Sequence, residues 1–253
     1  MGSQINNLKN AFYQELAKKY RKVYLCLPTY RTIPTVCYQH MIAFMCEMQN
    51  KGFQLGILMT DHTTAVAARN EIAKQAYLRG VKYDNADIFV WIDSDHTFSF
   101  SDFMTLLRHY DENPDIHILS ARNLTKNLAA PRICAYTELK NIKNYKTVDP
   151  SVKKVMEVDA VGFGFVMVSP EVITKMYEVY DRKQFMVEFS DLTKTGIKSE
   201  DISWCELARE QGYKIWLDNH VTPGHYGAIM SDEFFQITIK NKDQDDDEDD
   251  GQL

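Results

Sequence analysis

The chain has no Cys-x-x-Cys spacing, no apolar run approaching the roughly 18 residues that span a bilayer, and no glycine in the segment 28–34. Its five cysteines (Cys26, Cys37, Cys46, Cys134 and Cys205) are odd in number and sit mostly in apolar stretches, so they read as reduced core thiols. That usage fits a reducing compartment, and the lack of a membrane span or signal-like N-terminus leads us to expect a soluble, cytoplasmic protein. The missing glycine disfavours a nucleotidyltransferase, the alternative enzyme with a comparable metal site, which would want a phosphate-cradling loop after its first strand. No internal repeat is visible.

Net charge is small except at one end. The 253 residues carry a formal charge of -6, but seven acidic groups and no basic ones lie in the segment 243–253, and without them 29 basic residues face 28 acidic ones. A nearly neutral body argues against a nucleic-acid surface, and the acidic end reads as a solvated, disordered tail. With 45% hydrophobic and 12% aromatic residues, the rest has ample material for a core.

Apolar runs alternate with amphipathic ones. A helical pattern (Ile5, Leu8, Phe12, Leu16) precedes a strand over 23–27 that is stopped by Pro28, and a helix over 34–50 leads through Gly52 to a strand over 53–59. A helix over 65–78 leads to a third strand ending at Asp93, Ser101 is expected to cap a helix over 102–109, and 116–120 is a further strand. Beyond a strand over 132–136 and a polar stretch over 137–155, residues 158–169 read as one strand interrupted by Gly162 and Gly164. Such glycines suggest a bulge or a close approach of backbone to a ligand. Helices from Pro170 and over 200–211, the latter capped by Ser199, and a strand over 213–217 complete the pattern. Strands alternating with helices predict an α/β fold with a mostly parallel sheet.

The third strand, Ile88-Phe-Val-Trp-Ile92, is apolar throughout and delivers Asp93-Ser94-Asp95 at its C-terminal end, where open α/β sheets build ligand sites. An Asp-x-Asp arises by chance about once in this length, so its position is the signal. Two carboxylates leaving a strand on the same side can converge on one hard divalent cation, and such a cation often holds a diphosphate.

Taken in order, these pieces resemble the GT-A glycosyltransferases, particularly the small inverting family-2-like enzymes that use nucleotide-diphosphate sugars. The resemblance covers residues 22–228, leaving an N-terminal helix (1–21) and a C-terminal extension (229–253). It implies a single Rossmann-like domain in which Pro28-Thr29-Tyr30, with Arg31 beside it, meets the nucleoside. Asp61 would face the base, and Arg69 of Ala68-Arg69-Asn70 would lie near the nucleotide. Asp93-Ser94-Asp95 matches the metal motif, Gly162-Phe163-Gly164-Phe165 the acceptor-side segment, Glu200-Asp201 the catalytic pair, and His225 the third metal ligand. It further implies Mn²⁺, or Mg²⁺, as cofactor, a UDP- or GDP-sugar as donor and a glycan or other hydroxyl as acceptor. Asp201 would be the general base and Glu200 its reserve, with Asp95 and His225 on the metal and Asp93 on the ribose, the metal or a metal-bound water.

No Gln-x-x-Arg-Trp follows Glu200-Asp201, so transfer of a single sugar is expected rather than processive synthesis. A non-catalytic module that binds nucleotide-sugar or glycan is the alternative outside enzymology. His40, His62, His109, His117 and His220 read as surface histidines and His96 as a loop histidine. Phe163 and Phe165, two residues apart, are expected on one face, in the core or as an acceptor platform.

Overall fold

The computed structural model describes residues 2–29, 32–60, 64–125, 132–138, 145–149, 151–152, 154–189 and 197–226. Helix α1 (Gly2–Lys19) precedes β1 (Lys22–Pro28), α2 (Thr35–Asn50), β2 (Gln54–Thr60) and α3 (Ala65–Gln75), which runs on as a π-helical turn, Ala76–Val81. Then come β3 (Ile88–Ile92), β4 (His96–Thr97), α4 (Phe100–Glu112), β5 (Ile118–Ala121), β6 (Ala135–Glu138), β7 (Tyr145–Thr147), β8 (Val155–Val158), β9 (Ala160–Val161) and β10 (Phe165–Val168). Helix α5 (Pro170–Tyr180), β11 (Glu188–Phe189), β12 (Ile197–Lys198), α6 (Glu200–Glu210), β13 (Ile215–Asp218) and β14 (Gly224–His225) complete the chain.

Seven strands form the central sheet in the order β2-β1-β3-β10-β5-β13-β8. Strands β2, β1, β3, β5 and β13 run one way, while β10 and β8 run against them. The C-terminal ends of the five co-directional strands therefore share one lip of the sheet. This is the α/β arrangement with a mostly parallel sheet expected from the sequence.

Alternation sorts the strand residues into two cores. From β3, Phe89 and Trp91 enter the layer that also buries Ile72 of α3, Met176 of α5 and Trp204 of α6. Ile88, Val90 and Ile92 enter the opposite layer, with Leu16 of α1, Phe44 of α2 and Phe103 of α4. All five β3 residues are completely buried, so the strand can carry apolar residues without alternation. Burying each such side chain is worth about 1.5–3 kcal/mol, which fixes the end of β3, and hence Asp93, against the sheet. Among the described residues no helix is long and apolar enough to cross a membrane.

Several expectations are corrected. Helix α4 begins two residues early because Ser99, not Ser101, is its cap: the Ser99 hydroxyl accepts from the Asp102 amide, and the Asp102 carboxylate accepts from the Ser99 amide at 2.7 Å. The run 158–169 is not one strand. Val158 ends β8 at the sheet edge, β9 joins a small sheet with β6 and β7, and β10 lies in the centre of the main sheet. Phe163 and Phe165 do not share a face, since the chain turns at 163–164; the first packs in the α6 layer and the second in the α4 layer. Both are buried, so neither offers a platform to an acceptor.

Candidate active site

The sheet's lip carries the site. Beyond Ile92, the Asp93 amide donates to the Gly164 carbonyl at 3.1 Å and the His96 amide donates back to the Asp93 carbonyl at 3.1 Å. This tight turn sends successive side chains in different directions. The chain then pairs through β4 with β14, bringing His96 opposite His225, and the Tyr226 amide donates to the Asp95 carbonyl at 2.7 Å. Residues from opposite ends of the domain thus become neighbours through a two-residue ladder.

Asp93 faces α3. Thr64 caps that helix by accepting from the Ala67 amide, and Arg69 one turn later is buried. Its guanidinium donates to Asp93 at 3.0 and 3.1 Å, to Glu200 at 3.0 Å and to Asp201, the last two acids standing in the first turn of α6. Its carbon lies 5.6 Å from the Phe163 ring and 5.9 Å from that of Phe185. Burial opposes the guanidinium's charge, but the three carboxylates outweigh it and hold its pKa above the ordinary arginine value. Three carboxylates on one guanidinium leave an excess of negative charge. Burial above all, then Glu200 and Asp93, raise the Asp201 pKa to about 7 despite the attraction of Arg69 and a hydrogen bond from the Phe163 amide. A carboxyl poised there is suited to taking a proton near neutral pH. Burial also pushes the nearby Cys134 thiol up to about 12, which rules it out as a nucleophile near neutrality.

Asp95 faces the other way. Among the described residues its group, Asp95, His96 and His225, is one of two whose ligand atoms converge closely enough for a metal ion. The His225 Nδ1–H donates to the Leu124 carbonyl at 2.7 Å, which fixes the tautomer and leaves the Nε2 lone pair directed to Asp95 Oδ2 at 3.4 Å. Cis ligands on bonds of about 2.1 Å lie about 3 Å apart, so this pair fits a hard cation closely. His96 is the residue that sequence reasoning missed. It is buried, donates from Nδ1 to Asp95 Oδ1 at 3.0 Å and stacks on His225 with ring centres 4.2 Å apart. The His96 Nε2 is buried without a hydrogen-bond partner and lies against Gly164, where a Cβ would come within 2.4 Å of it. The glycine segment therefore makes the close approach expected of it, but to this histidine rather than to a ligand. At Gly162 a Cβ would fall 2.9 Å from that of Cys134.

A cleft of about 340 Å³ gathers these groups: Pro28 and Thr29 at the end of β1, Arg69, the Asp93-Ser94-Asp95 turn, Glu200, Asp201 and His225. Asp93, considered for the metal, lies apart from the converging ligand group with its carboxylate on Arg69. Tyr30, Arg31 and Asp61 lie outside the described residues, as do residues 227–253.

No family model and no curated protein sequence matches the chain. Among solved structures it is similar to the crystal structure of A197 from STIV, with 15% identity over 81% of this chain and 85% of that one and a TM-score of 0.52. A second similar structure is that of GalNAc-T7 with UDP, GalNAc and Mn²⁺, at 8% identity, a TM-score of 0.48, and coverage of 83% of this chain and 44% of that one. The chain thus spans under half the length of GalNAc-T7. At 15% identity the likeness to A197 speaks for the fold alone, a mixed α/β one with a seven-stranded, mostly parallel sheet flanked by helices.

Proposed function

We propose that the protein is a metal-dependent glycosyltransferase that moves one sugar from a nucleotide-diphosphate donor to an acceptor hydroxyl with inversion. The observation that carries this reading is the meeting, in one cleft, of a cation-ligand group around Asp95 and a carboxyl at Asp201 poised near neutral pH. Four carboxylates against one guanidinium would repel a diphosphate, so such a donor enters with a counter-cation. Asp95 and His225 would hold Mn²⁺ or Mg²⁺, which would supply Lewis-acid neutralisation of the departing diphosphate, and imidazole ligation favours Mn²⁺.

The chain's own groups do the rest. Pro28 and Thr29, with Asp93 and Ser94, border the nucleotide end. As the acceptor oxygen bonds to the anomeric carbon, the bond to the diphosphate breaks and its electron pair leaves with the phosphate. Asp201 accepts the hydroxyl proton, a contribution of about 10²- to 10⁴-fold. Arg69 holds Asp201 and Asp93 in register, and Glu200 keeps the Asp201 carboxylate basic.

A thermal-shift panel of UDP-, GDP-, CMP- and dTDP-sugars, with and without Mn²⁺, tests the proposal on the intact chain and on Asp95→Ala. A donor at about 100 times its dissociation constant stabilises by about 2.7 kcal/mol. One nucleotide class acting only with metal and only with Asp95 intact is the expected result. No shift with any donor overturns the reading and favours a different ligand class.

A further inference from the structure

The other converging group lies outside the cleft: His109 in the last turns of α4, Asp218 at the end of β13, and His220 two residues on. The Asp218 side chain is wholly buried, and its two oxygens are divided between the histidines. His109 Nδ1 lies 2.6 Å from Oδ2 and His220 Nδ1 2.8 Å from Oδ1, with the ring centres 5.3 Å apart. His220 is exposed, as the sequence suggested, while His109 is half-buried, and the two share one buried carboxylate. We propose that His109, Asp218 and His220 form a second cation site, selective for Zn²⁺-class metals and separate from the diphosphate cleft.

Two imidazoles and a carboxylate are the ligand set of borderline metals, the same donor types that Asp95, His96 and His225 bring together at the cleft. Zinc bonds of about 2.0–2.1 Å place tetrahedral neighbours about 3.3 Å apart, so the His220 contact has to open by about 0.5 Å and the His109 contact by about 0.7 Å. His220 has the freedom for that: its side chain is 42% exposed, which also leaves the fourth position open to water. Asp218 supplies a fixed anion in a place that water does not reach.

One neighbour works against the metal. Arg108 Nη2 lies 2.9 Å from His109 Nε2, so that nitrogen accepts and the ring's proton sits on Nδ1, toward Asp218. Binding through Nδ1 requires the proton to move to Nε2 and Arg108 to swing away. The Arg108 side chain is 45% exposed and can do so. Removing it therefore tightens the site, a response that a purely structural hydrogen-bond cluster would not give.

Position gives the site a consequence. His220 stands five residues before His225 on the segment that delivers His225 to Asp95, and the Val221 carbonyl on that segment accepts from the Arg122 amide at 2.8 Å. A metal joining α4 to residues 218 and 220 braces this segment from outside the cleft.

The test uses the full chain carrying Asp95→Ala, stripped with chelator and titrated with Co²⁺, followed by Zn²⁺ competition and calorimetry. Expected is one equivalent of Co²⁺ with the visible bands of a four-coordinate site, displaced by Zn²⁺. Adding His220→Gln, at an exposed position, weakens binding about 10- to 100-fold with unchanged circular dichroism, and Arg108→Ala strengthens it several-fold. No bound Co²⁺ in the Asp95→Ala protein, or affinity unchanged by His220→Gln, overturns the proposal. The outcome is independent of whether the cleft binds a nucleotide-sugar.

Discussion

Replacing Asp201 with Asn is expected to stabilise the protein at pH 8 while removing transfer activity. The Asp201 pKa stands at about 7 against an ordinary value of 3.8, so its ionised form is disfavoured in the folded state even with Arg69 in contact. A tenfold change in proton affinity is worth about 1.36 kcal/mol, which sets an upper limit of about 4 kcal/mol above pH 7. The side chain is 23% exposed, and solvent lowers the expected gain to about 1–3 kcal/mol. Between pH 3.8 and 7 the folded protein binds more protons at this position than the unfolded chain does, so its contribution to stability falls as pH rises through that window. Asparagine mimics the protonated acid and is spared this loss. Urea unfolding of both proteins at pH 8 and pH 5 measures it: the advantage of Asn at pH 8 should shrink by more than half at pH 5. If Asp201→Asn unfolds more easily at pH 8, or its advantage grows on acidification, the Arg69 contact outweighs burial and the argument for a neutral-pH base fails. Transfer by the variant should drop about 10²- to 10⁴-fold with donor affinity retained.

The same ionisation should appear in the pH–rate profile: kcat/KM rises with unit slope below about pH 7, levels above it, and loses this limb in Asp201→Asn. Arg69→Ala leaves Asp93, Glu200 and Asp201 without their shared cation and should cost about 3–5 kcal/mol at pH 8, less at pH 5 where the carboxyls can take up protons; denaturant midpoints at the two pH values decide it. Gly164→Ala forces a methyl against His96 and Asn123, where the Cβ would lie 2.4 and 2.8 Å from side-chain atoms, and should cost about 1–3 kcal/mol in thermal unfolding and weaken Mn²⁺ binding. A fully stable Gly164→Ala would show that this packing relaxes freely.

The elements easiest to read in the sequence were those whose signal is local. The β1–α2–β2 unit announces itself through Pro34 at the helix start and Gly52 after its end, and β3 through five consecutive apolar residues buried on both faces. Where the outcome depends on choosing between two similar local options, the sequence misleads. Ser99 and Ser101 both offer a cap to α4, and only the reciprocal bond from Asp102 selects Ser99. The run 158–169 has the composition of one strand, yet β8 ends at Val158, ahead of either glycine, and β9 and β10 part at Gly162 and Gly164, where the backbone passes hard against Cys134 and His96.

The same division explains the site. Asp93 and Asp95 drew notice because they stand at the end of a buried strand, whereas Glu200 and Asp201, acids that a helix's first turn favours in any case, were singled out only by the order of motifs in the resemblance. His96 was not legible, because its significance lies entirely in pairing. It faces His225 across a two-residue ladder, and nothing local in His96-Thr97 or Gly224-His225 marks either as a strand. His109 and His220 were lost in the same way, since the buried Asp218 that joins them lies 109 residues from the first and two from the second. An ionisable group's sequence neighbours reveal whether it can be exposed; only its spatial neighbours decide what it binds. For this chain that places the informative residues at the junctions between β4 and β14 and between α4 and β13, where short-range pattern carries no signal and a single long-range contact sets the chemistry.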